Sequence, residues 1–487
     1  MFQGTGSDVG KSTLVTGLCR IARRRGLSVA PFKSQNMSNN AAACIGGGEI
    51  GRAQALQARA CGLQLSVDFN PVLLKPQSDQ TAQVVVHGKV LQTSSASDYM
   101  TQQRAHLKSA VLTSFNRLCQ QYDLILVEGA GSPAEINLRQ NDIANMGFAT
   151  AVGAPVCLIG DIDRGGVIAA IAGTQQVISQ EDASMIKSFI INRFRGDPRL
   201  FDGGVTALET ITGWPALRLP QEDAVVLDTW SAQDVGAAKA GIVIAVPMLS
   251  RIANFDDLDP LRAEPQVSVV FVPPGSSIPL DADAVVIPGT KSTVGDMKFL
   301  VEQGWDHDIT AIARRGGRVL GICGGFQLLG TAIHDPDGMD GHAGSVKGLG
   351  LLDVETHMQG SKSTRAISGS CTRSNTDIAG YEIHMGKTSG ADTVRPVFEL
   401  AGMPDGAISV DGCVEGTYVH GVFSCDSYRT WWLDSLKTGM TSELNYEASV
   451  EQELDYLADG LEEALDVDAL LAEAAYASSL MHSGSKT

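Results

Sequence analysis

The chain has 487 residues, 44% hydrophobic and 19% charged, with 37 Lys and Arg against 55 Asp and Glu for a net charge of -18. Such a length calls for about three ordinary domains, or two large ones and a tail, and such a charge argues against nucleic acid or an anionic membrane as the main partner. No apolar run reaches the roughly 18 residues of a membrane span, no signal-peptide pattern opens the chain, and the nine cysteines form no C-x-x-C pair, so the expectation is a cytoplasmic protein without a disulfide framework or a thiolate zinc site.

The chain opens with Gly4-Thr-Gly-Ser-Asp-Val-Gly10-Lys11-Ser12-Thr13, then Leu14, Val15, Leu18, Ile21 and Ala22 at helical spacing, then Arg23, Arg24 and Arg25 before Gly26. A glycine-rich turn, a lysine and a hydroxyl at a helix start are what a phosphate-cradling loop needs, because the N-terminal N–H groups and the dipole favour an anion. Five residues separate Gly4 from Gly10, one more than the strict P-loop pattern allows, which predicts a longer variant. Gly4 follows only three residues, short for a first strand of about five, so a further stretch upstream is expected.

Residues 27–32 read as a strand that delivers a polar loop with a second lysine, Lys33. Three more apolar runs follow at 123–127, 155–160 and 188–191, ending respectively in Glu128, Asp161 and Asn192. Strands that hand their last polar residue to one edge build a ligand crevice in a parallel sheet. There Glu128 or Asp161 could hold Mg²⁺ beside phosphates and Asn192 could read a base, although a lone acid at a strand end also serves as a helix cap. The polar, Ala- and Gly-rich stretch 231–240 marks a domain boundary.

Continuous apolar runs at 242–246, 267–272, 284–287 and 319–322 then indicate a second parallel sheet covered on both faces. The last of them enters Gly321-Ile-Cys323-Gly-Gly325, with a helix opening at Phe326. That spacing matches a nucleophile elbow, where a helix N-terminus aimed at the thiol favours its ionisation; the alternative is a buried structural cysteine in a glycine-rich turn. Gly416-Thr-Tyr-Val-His420-Gly-Val-Phe423 supplies a histidine about a hundred residues later, a candidate base. The tail from 454 to 471 is acidic with helically spaced leucines, which predicts an amphipathic helical segment packed on the body.

Taken together, Phe32-Lys-Ser-Gln-Asn-Met-Ser-Asn-Asn40, Val127-Glu-Gly-Ala-Gly-Ser-Pro-Ala-Glu-Ile-Asn-Leu138, Gly160-Asp-Ile-Asp-Arg-Gly-Gly166 and Gly380-Tyr-Glu-Ile-His-Met-Gly386 resemble the cobyric acid synthase family over essentially the whole chain. The resemblance implies an α/β protein of two parallel-sheet domains. Residues 1–235 would form a P-loop NTPase-like, dethiobiotin-synthetase-like ATP domain, residues 241–437 a flavodoxin-like class I glutamine amidotransferase domain, and residues 438–487 a helical tail. It further implies amidation of the b, d, e and g carboxylates of adenosylcobyrinic acid a,c-diamide with ATP, Mg²⁺ and L-glutamine. Cys323 would be the nucleophile and His420 would move the proton. Gly4, Gly10, Lys11, Ser12, Thr13, Lys33 and Asn192 would bind nucleotide, and Ser12, Glu128 and Glu49 would hold the metal.

One departure concerns the triad acid of this amidotransferase class, which stands two residues after the histidine, where this chain has Val422. A Cys-His dyad is expected, with some other group orienting the ring. The nearest alternative is cobyrinic acid a,c-diamide synthase, of similar plan and chemistry; the segments at 32–40 and 380–386 favour cobyric acid synthase. A nucleotide-dependent switch would leave Cys323 and His420 without a purpose, and a cysteine hydrolase would leave Lys11 without one.

Overall fold

The computed structural model describes residues 1–77, 81–95, 104–194, 197–217, 241–340 and 343–484. The boundary expected at 231–240 lies outside the described residues. In the first half the strand Phe2–Gly4 pairs in parallel with Val156–Asp161, which pairs with Ile186–Asn192 and through it with Ala216–Leu217. On the other side Val29–Phe32 pairs with Leu124–Val127, and Phe2 bridges Glu128 in parallel. The central strands are apolar because both faces are covered. Register sets the site: Asp161 lies beside Asn192, and Phe32 beside Val127, so Lys33, Glu128, Asp161 and Asn192 all emerge at the carboxyl edge, next to the loop after Gly4.

A second sheet, not apparent in the sequence, is inserted between the strands Val29–Phe32 and Leu124–Val127. It contains Gln35–Met37, Val72–Pro76, Thr81–Val86 and Lys89–Ser95. Beside it stands the hairpin Ala41–Ala43 and Glu49–Gly51.

The four strands expected in the second half pair in parallel, as Ile242–Pro247, Val267–Val272, Ala284–Ile287 and Arg318–Ile322, with Val414–Thr417 beside the last. A long antiparallel hairpin, Glu355–Cys371 with Asp377–Ser389, carries the short strand Val419–His420 on its edge. A large core joins the sheet to its helices around the fully buried Trp305 and Trp432. The tail forms two helices, Tyr446–Ala464 and Val467–Gly484. They pack on the phosphate-loop helix of the first half: Leu454, Leu457 and Leu461 join the cluster of Leu14, Leu18 and Ile21.

Candidate active sites

Cys323 occupies the turn between the strand Arg318–Ile322 and the helix Gly324–Leu329, at φ 53 and ψ -107. A non-glycine residue held there stores strain of about 1–3 kcal/mol, tolerated when the surroundings fix it. They do: the Cys323 N–H donates to the Thr417 carbonyl at 2.8 Å, and a Cβ at position 325 would lie 2.0 Å from the Ile287 carbonyl oxygen. The glycine at 325 therefore lets the elbow helix sit directly against the neighbouring strand.

His420 is buried beside the thiol. Its Nδ1 lies 2.7 Å from Asp257 Oδ2, while Asp257 Oδ1 accepts the Gly421 N–H at 2.7 Å. The Tyr381 ring stacks on the imidazole with centroids 5.2 Å apart. Burial opposes a charge on His420, but the carboxylate of Asp257 and the neighbouring thiol outweigh it and push its pKa up to about 10. Burial likewise raises the Cys323 thiol, yet the charge on His420 and its hydrogen bond win and bring the thiol below its ordinary value. The arrangement favours an imidazolium beside a thiolate at neutral pH. Asp257, in the turn Phe255–Leu258, is the group that contacts the ring at the place where the sequence reading left a partner unassigned. The sequence gives no spacing signal for it beyond two adjacent acids in a stretch that becomes buried.

At the other site, Gly10 caps the helix Lys11–Arg24 with φ 88, and a Cβ there would meet Asn192 Nδ2 at 2.1 Å. Asn192 Nδ2 donates to the Val9 carbonyl at 2.8 Å, so in this structure Asn192 braces the loop. Gly4 begins the loop, and Lys11 Nζ donates to Gly6 O at 2.8 Å across its mouth. Burial pulls the Lys11 pKa down to about 8, with Glu128 opposing. Ser12 Oγ donates to Glu128 Oε1 at 2.8 Å and Lys33 Nζ to the same oxygen at 2.7 Å; Thr13 follows Ser12 in the first turn. Gln54 and Gln57 donate to Glu128 Oε2 at 3.2 and 2.7 Å. Burial would raise the Glu128 pKa, but Lys33, Gln57 and Ser12 hold it below the usual value. Asp161 is held by Arg164 and Arg193, each at 3.2 Å.

Glu49, expected as a third metal ligand, does not join this cluster. It is fully buried, with Lys75 Nζ at 2.5 Å from Oε2 and Lys362 Nζ on Oε1. Its oxygens face Lys75 and Lys362 rather than Ser12.

The two halves meet close to His420. Asn254 donates its N–H to Asn40 Oδ1 at 2.8 Å and its Nδ2 to Tyr381 OH at 2.9 Å. The segments 32–40 and 380–386 are thereby joined through one residue, by its backbone N–H on one side and its side chain on the other. Arg52 from the first half pairs with Asp256 at 3.2 Å, next to the acid that holds His420.

Residues 1–228 match the CobQ/CobB/MinD/ParA nucleotide binding domain, and residues 243–428 match the CobB/CobQ-like glutamine amidotransferase domain. The chain is 61% identical over 485 residues to the cobyric acid synthase of Hyphomonas neptunium, covering 98% of this chain and 97% of that one. It is 59% identical over 482 residues to the cobyric acid synthase of Paracoccus denitrificans, covering 97% and 98%. With that of Brucella anthropi it shares 55% identity over 480 residues, covering 96% and 98%.

Proposed function

Because the chain belongs to the cobyric acid synthase family, glutamine-dependent amidoligases of cobalamin synthesis with a nucleotide-binding domain, we propose that it amidates the b, d, e and g carboxylates of adenosylcobyrinic acid a,c-diamide in the cytoplasm. The observation that carries this reading is the joining, in one chain, of a Cys323-His420-Asp257 array to a phosphate loop backed by Lys11 and Glu128. A carboxylate resists attack by ammonia because its carbonyl is already electron-rich, so ATP is needed to turn it into an acyl phosphate. Lys11 and the loop N–H groups would neutralise charge on the transferring phosphoryl group. Ser12 Oγ and the Glu128 carboxylate are hard oxygen donors 2.8 Å apart, a pair that fits Mg²⁺, which when bound supplies further charge neutralisation at the phosphates. Gly4, Gly10 and Thr13 would shape the cradle and Lys33 would hold Glu128 ionised beside it. Asn192 would serve the nucleotide by bracing the loop.

In the second half the thiolate of Cys323 would attack the carboxamide carbon of glutamine. As the C–N bond breaks, the imidazolium of His420 would give its proton to the nitrogen, which leaves as ammonia. Asp257 occupies Nδ1, so the proton in play is the one on Nε2. Water would then hydrolyse the thioester to glutamate and restore the thiol. Ammonia would attack the acyl phosphate carbon, phosphate would depart, and the amide would remain.

The test is to supply a corrinoid a,c-diamide, ATP, Mg²⁺ and glutamine and follow product mass. Four added amides are expected. A product stopping at two amides, made from a corrinoid bearing none, would assign cobyrinic acid a,c-diamide synthase instead.

A further inference from the structure

The strand Ala332–Asp335 follows the elbow helix Gly324–Leu329 and pairs in parallel with the start of the long hairpin strand Glu355–Cys371. Register sets Ala332 beside Glu355 and His334 beside His357. Paired residues share a face, as do alternate residues along one strand, so His334, Glu355 and His357 stand together on one side of the sheet. The other side is core, since Ile333 and Thr356 between them are buried. His334 is half-buried, and Glu355 and His357 are exposed.

One nitrogen of each imidazole and one carboxylate oxygen all lie within 4.8 Å of one another. The rings of His334 and His357 stack with centroids 4.6 Å apart and planes 21° from parallel, and His334 Nε2 is 3.8 Å from Glu355 Oε2. At the opposite edge of the His334 ring, Ser345 Oγ is 2.9 Å from Nδ1. It comes from the antiparallel strand Gly344–Lys347, in which Ser345 is paired with His334. With the ring proton on Nδ1 and donated to Ser345, the Nε2 lone pair faces the carboxylate. Holding a histidine by its second nitrogen is how proteins fix the tautomer and direction of a metal ligand.

An ion pair is a poor account of this cluster. A solvent-exposed pair of this separation contributes little to stability, and it makes no use of His357. Two imidazoles and a carboxylate are instead the donor set of a borderline divalent ion such as Zn²⁺, Ni²⁺ or Cu²⁺. Bonds of about 2.0–2.2 Å to one ion bring tetrahedral ligand atoms to roughly 3.5 Å from each other, so Glu355 and His357 need to close by about an ångström, which exposed side chains can do by rotation. Lys387, paired with His357, and Lys347, paired with Ala332, share this face. Their charge opposes a cation, which sets the affinity below that of a closed four-ligand centre.

We propose that His334, Glu355 and His357 form a surface site for a divalent transition-metal ion, separate from the Ser12 and Glu128 pair, that clamps the strand after the elbow helix to the long hairpin. The test uses the full chain without an affinity tag. Its accessible thiols are blocked with iodoacetamide so that cysteine does not compete, and excess Mg²⁺ fills the sites that prefer hard oxygen donors. Zinc chloride is titrated by calorimetry, and the histidines are probed with diethyl pyrocarbonate and read by mass spectrometry. One zinc should bind, and it should slow modification of His334 and His357 by about tenfold or more while the exposed His307 reacts as before. His334→Ala and His357→Ala should each weaken binding by about tenfold or more, and Ser345→Ala, which would touch no ion, by about threefold or more. Zinc should raise the melting temperature of the parent and leave that of His357→Ala unchanged. All of these side chains lie at the surface, so the variants should fold, and their melting curves without zinc check that they do. Undiminished binding in a folded protein carrying both His334→Ala and His357→Ala would overturn the proposal. So would the absence of saturable binding, or zinc that leaves both histidines open to modification. Binding at these residues without a rise in melting temperature would overturn the clamp.

Discussion

Asp257 and His420 are 163 positions apart and share a 2.7 Å contact, which makes the acid the clearest test of the glutaminase site. Replacing it by Asn removes the charge that raises the His420 pKa, so the ring loses its proton more readily and Cys323 loses the cation that holds it ionised. The sign follows: in Asp257→Asn the thiol pKa rises, and less thiolate is present at pH 7. Alkylation of Cys323 by iodoacetamide, followed by mass spectrometry, should slow by about tenfold or more, and the acid limb of glutamine hydrolysis should move to higher pH. An unaltered alkylation rate would assign Asp257 to structure alone. Glu128→Gln probes the other site: it keeps the side-chain volume but removes the charge that Lys33 and Ser12 face. The Mg²⁺ concentration needed for half-maximal turnover should rise by about tenfold or more, and an unchanged requirement would remove Glu128 from the metal set. Cys323 and His420 stood out in the sequence because small glycines flank both, a local signal. Asp257 and the true setting of Glu49 did not, because their partners come from distant segments: Lys362 lies 313 positions beyond Glu49.

The elements show the same division between local pattern and tertiary placement. Leucine spacing was enough to predict a helix in the tail, yet nothing local says that its apolar face covers the helix Lys11–Arg24. Arginines of this helix and its C-cap also face the tail: Arg20 reaches Glu451 and Asp455, Arg24 reaches Asp459 and Arg25 reaches Glu462. Several of these ion pairs are substantially exposed, with Arg24 and Asp459 at 39% and 58%, so each contributes roughly 0–1 kcal/mol. Buried leucines weigh more. Leu461 is 2% exposed, and the glycine at 17 is what admits it, since a Cβ there would lie 2.2 Å from its Cδ1. Leu461→Ala should therefore cost about 2–5 kcal/mol and lower the melting temperature of the first half, seen by calorimetry, while alkylation of Cys323 stays at its parental rate. A melting curve within a degree or so of the parent would show that the tail is not a structural part of the nucleotide half. The inserted sheet escaped prediction for a related reason: its first strand, Gln35–Met37, is a half-buried Gln, a buried Asn and an exposed Met and pairs with Val72–Pro76.

Both parallel sheets were legible because strands covered on two faces must be continuously apolar, and the acids and amides at their ends marked the ligand edge. How the halves face one another was not legible, since the seam rests on single residues such as Asn254, at φ 54 between Asn40 and Tyr381. The two chemistries nevertheless rest on separate residues, Lys11 in one half and Cys323 in the other, and should separate by mutation. Cys323→Ala removes the nucleophile, so glutamine should no longer support amide formation, while a high concentration of free ammonia should restore it to near the parental ammonia-fed rate. Lys11→Ala should fail with either nitrogen source, losing about a hundredfold or more, because without charge neutralisation at the phosphates the carboxylate is never activated, whatever ammonia is present. Its Cys323 should remain reactive toward iodoacetamide, since His420 and Asp257 are untouched. Loss of ammonia-fed amidation in a folded Cys323→Ala protein would put the thiol in the synthetase step or in the fold, and would remove the basis for assigning glutamine hydrolysis to the second half.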